Sequence, residues 1–356
     1  MSRKLKVAVI GCGNIADCHL LAYEHNPNVE IFALCDPNKD NAKTKSERYH
    51  VSRVYTSETQ MLDELPELDA VSVCTWNADH ARCSIAALNA GKHVLCEKPM
   101  AMNTHEAAAM LNAAKQNHRL LMVGFVRRFG NDCRIAKDLI EKGYLGDIYY
   151  AKASYLRRNG CPGGWFSDHA RSGGGPLIDL GVHVIDLTRY LMGNPIPVSV
   201  YGAAYHELGS RKNIKTGKAY VSSVSNGTAD INNVEDLAAA MIRYDNGSVL
   251  QVETSFSLNI EKDTSVIELF GTKGGLRIDP ELTYYGEMDG YMTNVHLATQ
   301  TALEFDGLFD AEINHFVDCI QNDLPCLAPA EDGVAVARIL DAIYDSAKTK
   351  HETAII

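Results

Sequence analysis

Asp179 and His183 are the pair in this chain best suited to moving a proton. They stand four positions apart in Gly175-Pro176-Leu177-Ile178-Asp179-Leu180-Gly181-Val182-His183, a run whose glycines and proline mark a helix start. At that spacing both side chains fall on one helix face and point into the same space. An imidazole titrates near working pH and can take a hydroxyl proton, while the carboxylate can orient the ring or hold a substrate hydroxyl. An internal Asp–His hydrogen bond in a purely structural helix would give the same spacing. His169 together with Asp179 and His183 could also ligate a metal, but an acid, a base and a hydride acceptor suffice for oxidising an alcohol, so no metal is expected.

Two further clusters complete the chemistry. Glu97-Lys98-Pro99 closes a strand-like segment and offers an amine, with Glu97 free to pair with Lys98 or to reach a ribose. A surface Glu–Lys ion pair is the plainer reading of that triplet alone. Near the amino end, Leu5 to Ile10 runs into Gly11-Cys12-Gly13-Asn14-Ile15-Ala16. Glycines at a strand-to-helix turn let the backbone approach a diphosphate, and the following helix presents unpaired N–H groups and a positive dipole end. Gly11, Gly13, Asn14 and Ile15 are therefore candidate cofactor contacts, and Ala16 permits close helix-to-strand packing. Asp36 ends the next apolar run, Val29 to Cys35, where an acid can bind the ribose hydroxyls of an adenosine and repel a 2′-phosphate. NAD is expected over NADP, although Pro37 and Asn38 would also suit a turn that Asp36 merely caps.

The elements that must position these groups alternate over the first third of the chain: strand patterns at 70–74, 93–96 and 120–124, helix patterns at 79–90 and 104–117. Such alternation calls for a doubly wound parallel sheet, the Rossmann arrangement, with its ligand crevice at the carboxyl ends of the strands. Gly11, Asp36, Thr75 and Glu97 all fall at such ends. After Arg127 the pattern changes: Ile148 to Tyr155 alternates, and Leu237 to Tyr244 meets Ser248 to Phe256 through Asp245-Asn246-Gly247, a tight-hairpin signal. An open, mostly antiparallel sheet is expected there, with helices on one face near 175–192, 310–322 and 333–348, and an apolar open face suited to pairing subunits of a homo-oligomer. The chain is thus α/β followed by α+β, with a dinucleotide-binding domain over 1–125 and a substrate-binding, oligomerising domain over 126–356. The stretch 210–233 reads as a surface loop.

With 34 basic and 45 acidic residues the net charge is −11, which argues against a nucleic-acid surface. Arg127-Arg128 and Arg157-Arg158 read as pairs of solvated charges. The 10 cysteines form no C-x-x-C pair and several sit in apolar strands, so they are expected to be small buried hydrophobes in a reducing cytosol, neither bridges nor a zinc framework. No signal peptide or membrane-spanning stretch is apparent.

Taken together, Gly11-x-Gly13-x-x-Ala16, Thr75-x-Asn77-x-x-His80, Cys96-Glu97-Lys98-Pro99-Met100, Val123-Gly124-Phe125-x-Arg127-Arg128-Phe129, the 175–183 segment and Glu331-Asp332-Gly333 through Ser346 resemble the glucose-fructose oxidoreductase, inositol dehydrogenase and MocA family. The resemblance covers nearly the whole chain, departing at Trp76, where many relatives have proline. It implies that Lys98, Asp179 and His183 are catalytic, that Asp36, Thr75, Asn77, His80 and Glu97 line the cofactor, and that Arg127 lies near nicotinamide and substrate. The function implied is hydride transfer to NAD from a ring secondary hydroxyl of a sugar, glycoside or inositol, one branch acting at C3 of glucosides. Trp165, Phe166 and Asp168, just ahead of the glycine run, could receive a pyranose ring or simply anchor a loop. The rivals are a glycosidase using transient C3 oxidation and a non-catalytic NAD-binding regulator, the latter disfavoured by the presence of both Lys98 and His183.

Overall fold

The computed structural model describes residues 3–209, 211, 214 and 231–355. Most of the loop expected at 210–233 lies outside the described residues. The chain divides into two compact units, Met1–Val126 with Asp306–Ala337, and Arg127–Phe305 with Arg338–Ile356.

The first unit begins with β1 (Leu5–Ile10), α1 (Asn14–His25), β2 (Val29–Cys35), α2 (Lys39–Arg48), β3 (Val54–Tyr55) and α3 (Glu58–Glu64). It continues with β4 (Ala70–Val73), α4 (Asn77–Asn89), β5 (His93–Glu97), α5 (Thr104–Gln116) and β6 (Leu121–Gly124). All six strands run parallel in the order β3-β2-β1-β4-β5-β6. Strand order reverses between β1 and β4, which opens the crevice where doubly wound sheets take their ligands. Val7, Ala8, Val9, Ala70, Val71 and Val73 are fully buried, as a sheet covered on both faces requires.

The second unit holds a short 3₁₀ turn at Val126–Phe129, α6 (Asn131–Glu141), β7 (Ile148–Leu156), α7 (His169–Ser172), a π turn at Leu177–Gly181 and α8 (Val182–Leu191). Then come β8 (Pro197–Tyr205), β9 (Leu237–Tyr244), β10 (Val249–Ser255), β11 (Thr264–Gly271), β12 (Gly275–Ile278), β13 (Thr283–Met288) and β14 (Tyr291–His296). The chain re-enters the first unit with α9 (Leu308–Asn322) and the start of α10 (Ala330–Thr349), whose part from Arg338 on belongs to the second unit, and ends at β15 (Thr353–Ala354). The second sheet has the order β14-β13-β12-β11-β7-β10-β9-β8-β15. Among the described residues only the β7–β10 pairing is parallel.

Alternation decides the two faces of this sheet. Val200, Ala238, Ala240, Ile242, Leu250 and Val252 are buried, and α8 lies against β7, β10 and β11. The intervening side chains face away, leaving Tyr201 56% and Met241 49% exposed. The expected β9–β10 hairpin forms, with the Tyr244 amide donating to the Ser248 carbonyl at 3.0 Å and Gly247 at φ 83°. The helix expected at 175–192 differs at its start: its first turn is the wider π form rather than α.

Candidate active site

Gly11 leaves β1 with φ 89°, and a Cβ there would lie 2.6 Å from the carbonyl carbon and oxygen of Cys74. Only glycine allows β1 and β4 to approach so closely at the switch point. Gly13 differs, because a Cβ added to it meets nothing within 4 Å. It is the N-cap residue of α1 and offers no side-chain cap. Asn14 and Ile15 form the first turn, and Ala16 is fully buried, as close packing demands. Asp36 is buried at the end of β2. Its Oδ2 accepts from the Cys12 amide at 2.8 Å and its Oδ1 from the Asn38 amide at 2.7 Å. The acid is thereby fixed against the glycine turn, while Asn38 caps α2. Open space at a helix amino end, beside an anchored carboxylate, fits a dinucleotide with its pyrophosphate on α1 and a ribose on Asp36.

At the ends of β4 and β5 the sequence candidates are tied together. Buried His80 on α4 bonds the Pro99 carbonyl through Nδ1 at 2.7 Å and the Thr75 carbonyl through Nε2 at 3.1 Å. Burial pushes its pKa down, beyond what those carbonyls restore. His80 thus clamps the Glu97-Lys98-Pro99 turn, which contains a cis Lys98–Pro99 bond, to α4. Asn77, the first residue of α4, is buried, and Thr75 and Lys98 are partly exposed.

Glu97 is buried and accepts from His19 Nε2 at 2.9 Å and from the Lys98 amide at 3.1 Å. Desolvation would raise its pKa. The hydrogen bond and charge of His19, followed by Lys98 and His80, outweigh this and hold the carboxyl below its usual range. His19 also meets Ser72 Oγ at 3.3 Å, which in turn meets the Tyr23 hydroxyl at 2.7 Å. Sequence reasoning missed His19. The available signal was an imidazole among Ala16, Leu20 and Tyr23 on the buried stripe of α1. Glu312 on α9 was missed as well. Burial first, and the charge of Glu97 second, push its pKa well up.

In the second unit, every residue from Gly174 to Arg189 is buried except Asp179 and His183. A pattern that is apolar nearly all round therefore opens toward solvent at the two positions singled out for proton transfer. They sit on either side of the junction between the π turn and α8, where the wider turn keeps residues four apart on the same side.

Two buried ion contacts fix this segment. Glu235, 2% exposed, accepts from the Gly175 amide at 2.9 Å and the Leu177 amide at 3.1 Å, and from the Tyr344 hydroxyl at 2.9 Å. A Cβ on Gly175 would collide with the Glu235 carbonyl oxygen, so glycine there permits the cap. Farther along, Arg128 grips Asp186 with Nε at 3.0 Å and a terminal nitrogen at 2.6 Å. Arg128 is thus a buried anchor of α8 rather than a solvated charge. Glu235 also escaped the sequence reading, although two adjacent acids, Glu235-Asp236, directly before an apolar strand were a sign of a specific partner.

The remaining candidates stand as follows. Arg127 bonds Asp132 at 2.9 Å and Asp279 at 3.2 Å within the second unit. Trp165 and Phe166 stack at 3.9 Å between ring centroids and 25° between planes, both partly exposed. The Asp168 carboxylate caps α7 through the Ala170 amide at 3.1 Å, with Arg171 3.5 Å away, so it does anchor its loop.

Residues 5–125 match a family model described as an oxidoreductase family, NAD-binding Rossmann fold, and residues 137–355 match that family's C-terminal alpha/beta domain. The chain is 33% identical over 352 residues to the D-glucoside 3-dehydrogenase of Escherichia coli (strain K12), covering 98% of this chain and 97% of that one. It is 26% identical over 275 residues to the myo-inositol 2-dehydrogenase of Thermotoga maritima, covering 77% and 75%. Among solved structures, a levoglucosan dehydrogenase in complex with NADH superposes with a TM-score of 0.84 at 26% identity, covering 99% of this chain and 100% of that one. With both domain models matched and nearly its whole length shared with a curated dehydrogenase, the chain belongs to the Gfo/Idh/MocA oxidoreductase family.

Proposed function

We propose that this protein is an NAD-dependent dehydrogenase that oxidises a ring secondary hydroxyl of a glycoside, at C3 of a glucosyl group. The carrying observation is the selective opening of the buried 174–189 run at Asp179 and His183. His183 takes the hydroxyl proton, Asp179 orients it, and Lys98 stabilises the alkoxide as it develops. Bound nicotinamide supplies the hydride acceptor. The first unit holds the dinucleotide through Gly11, Gly13, Asn14, Ile15, Asp36, Thr75, Asn77, His80 and Glu97. The second holds substrate through Arg127, the Trp165–Phe166 stack, Asp168, Asp179 and His183. The anchored Asp36 carboxylate supports NAD over NADP by repelling a 2′-phosphate.

A glycoside is favoured over an inositol by the greater identity and fuller coverage of the E. coli glucoside dehydrogenase. The exposed aromatic and thioether side chains on the open sheet face, Tyr201 and Met241 among them, support a homo-oligomer. All ten cysteines are free, which suits the cytoplasm. No helix among the described residues is long and apolar enough to cross a membrane.

The test is a panel of glucosides, free sugars and inositols incubated with NAD, reading NADH absorbance and the product mass together. A keto-glycoside two hydrogens lighter than the substrate is expected. Hydrolysis without oxidised product would replace this reading with the glycosidase one. Silence in both readouts across the panel would end it.

A further inference from the structure

His315 and Cys319 lie one turn apart on α9, and Cys326 follows on the connection to α10. One donor atom from each lies within 4.8 Å of the other two. Asp323, at φ 52°, ends α9 in the left-handed conformation and turns the chain so that Cys326 comes back over the helix. The Leu327 amide donates to His315 Nε2 at 2.9 Å, and Cys319 Sγ meets the same nitrogen at 3.3 Å. That nitrogen therefore carries the lone pair, as a metal-ligating imidazole must. Cys319 is buried while His315 and Cys326 are partly exposed, so the group is backed by the core yet reachable from solvent. None of the three is among the residues assigned to dinucleotide or substrate.

We propose that His315, Cys319 and Cys326 form a binding site for a thiophilic divalent cation of the zinc class. One imidazole nitrogen and two sulfurs select zinc over magnesium or calcium, which prefer oxygen. Tetrahedral bonds of about 2.0–2.3 Å place ligand atoms roughly 3.5–3.8 Å apart, so closing from 4.8 Å asks for about an ångström of side-chain movement. Binding releases the thiol protons and replaces the Leu327 hydrogen bond to Nε2, with water completing the coordination. The site pins the α9–α10 connection. The spacing His-x₃-Cys-x₆-Cys lies outside the C-x-x-C pattern, so it is invisible to a search for paired cysteines.

The full-length chain, stripped with a chelator and kept reduced, is titrated with Zn²⁺ by calorimetry and with Co²⁺ by absorption. Cys326→Ser and the Cys319→Ser/Cys326→Ser double variant are run beside it, with circular dichroism to verify folding. Cys326→Ser keeps the test valid should the buried Cys319 prove essential for folding. One equivalent of Zn²⁺ should bind at about micromolar affinity or tighter, Co²⁺ should give thiolate charge-transfer bands, and Cys326→Ser should weaken binding by about a hundredfold. Glycoside turnover should persist in Cys326→Ser. Equal Zn²⁺ binding by the variant, Co²⁺ spectra without thiolate bands, or a Cys319–Cys326 disulfide in the mass of freshly purified protein would each overturn the proposal.

Discussion

Glu235 and Gly175, 60 positions apart, meet through a 2.9 Å hydrogen bond from the glycine amide to the carboxylate. That contact caps the start of the 174–189 run, which is buried everywhere except at Asp179 and His183. A buried anion at a helix amino end also opposes the positive end of the helix dipole, so the cap and the charge act together.

Removing this cap should misplace the proton-transfer pair. Glu235→Ala leaves two amides and the Tyr344 hydroxyl without their buried acceptor and should cost about 3 kcal/mol by urea unfolding. Glu235→Gln keeps one acceptor oxygen and should cost less. In both, kcat should fall while the KM for NAD stays near wild type. An unchanged kcat in a measurably destabilised variant would show that the cap serves stability alone.

His183→Ala and Asp179→Asn should fold as wild type, because both positions reach solvent and no core volume is lost. Turnover of His183→Ala should drop by about a hundredfold to ten-thousandfold. Retention of more than about a tenth of wild-type turnover would remove His183 from the proton-transfer role.

The two glycines of the turn should separate fold from ligand. Gly11→Ala puts a Cβ 2.6 Å from the Cys74 backbone at φ 89°, and should lower stability by about 1–3 kcal/mol or more. Gly13→Ala enters open space and should leave the melting temperature of the free protein unchanged. Its thermal stabilisation by NAD should nevertheless shrink, since the added methyl occupies the space assigned to pyrophosphate. Undiminished stabilisation would move the dinucleotide elsewhere.

Asp36→Ala deletes the acceptor for the Cys12 and Asn38 amides along with the ribose contact. The Kd for NAD should rise about tenfold to a hundredfold, with NADP now bound comparably. Isothermal titration with both dinucleotides reads the change, and a retained preference for NAD would assign discrimination to other residues.

Acid should weaken the fold through His93. Burial, aided by Arg119, pushes its pKa from 6.5 down to about 4, and Nδ1 accepts from the Leu120 amide at 3.0 Å. Between those values the unfolded chain binds the proton and the folded chain does not, so stability falls as pH drops from 6.5 toward 4 and levels off below. His80, also shifted down, adds in the same direction. Urea midpoints measured from pH 7 to 5 should decline, and His93→Gln should flatten part of that slope.

Much of the architecture follows from local spacing. The bounds of β1, β2 and β9 coincide with the apolar runs that announced them, because period and punctuation are properties of neighbouring residues. The glycine turn, the acid after β2 and the four-residue step from Asp179 to His183 were legible for the same reason. The partners of these groups were not. That His19 would hold Glu97, that Arg128 would bury itself on Asp186, and that Arg127 would reach Asp279 are outcomes of distant segments returning to one place. So is the π turn under Asp179, which forms where Glu235 claims the amides of Gly175 and Leu177. The sequence by itself determined which side chains could do chemistry and on which elements they ride. Tertiary structure alone decided which of them are held by a buried partner, because a hydrogen bond between residues sixty or more positions apart leaves no trace in the spacing of either one.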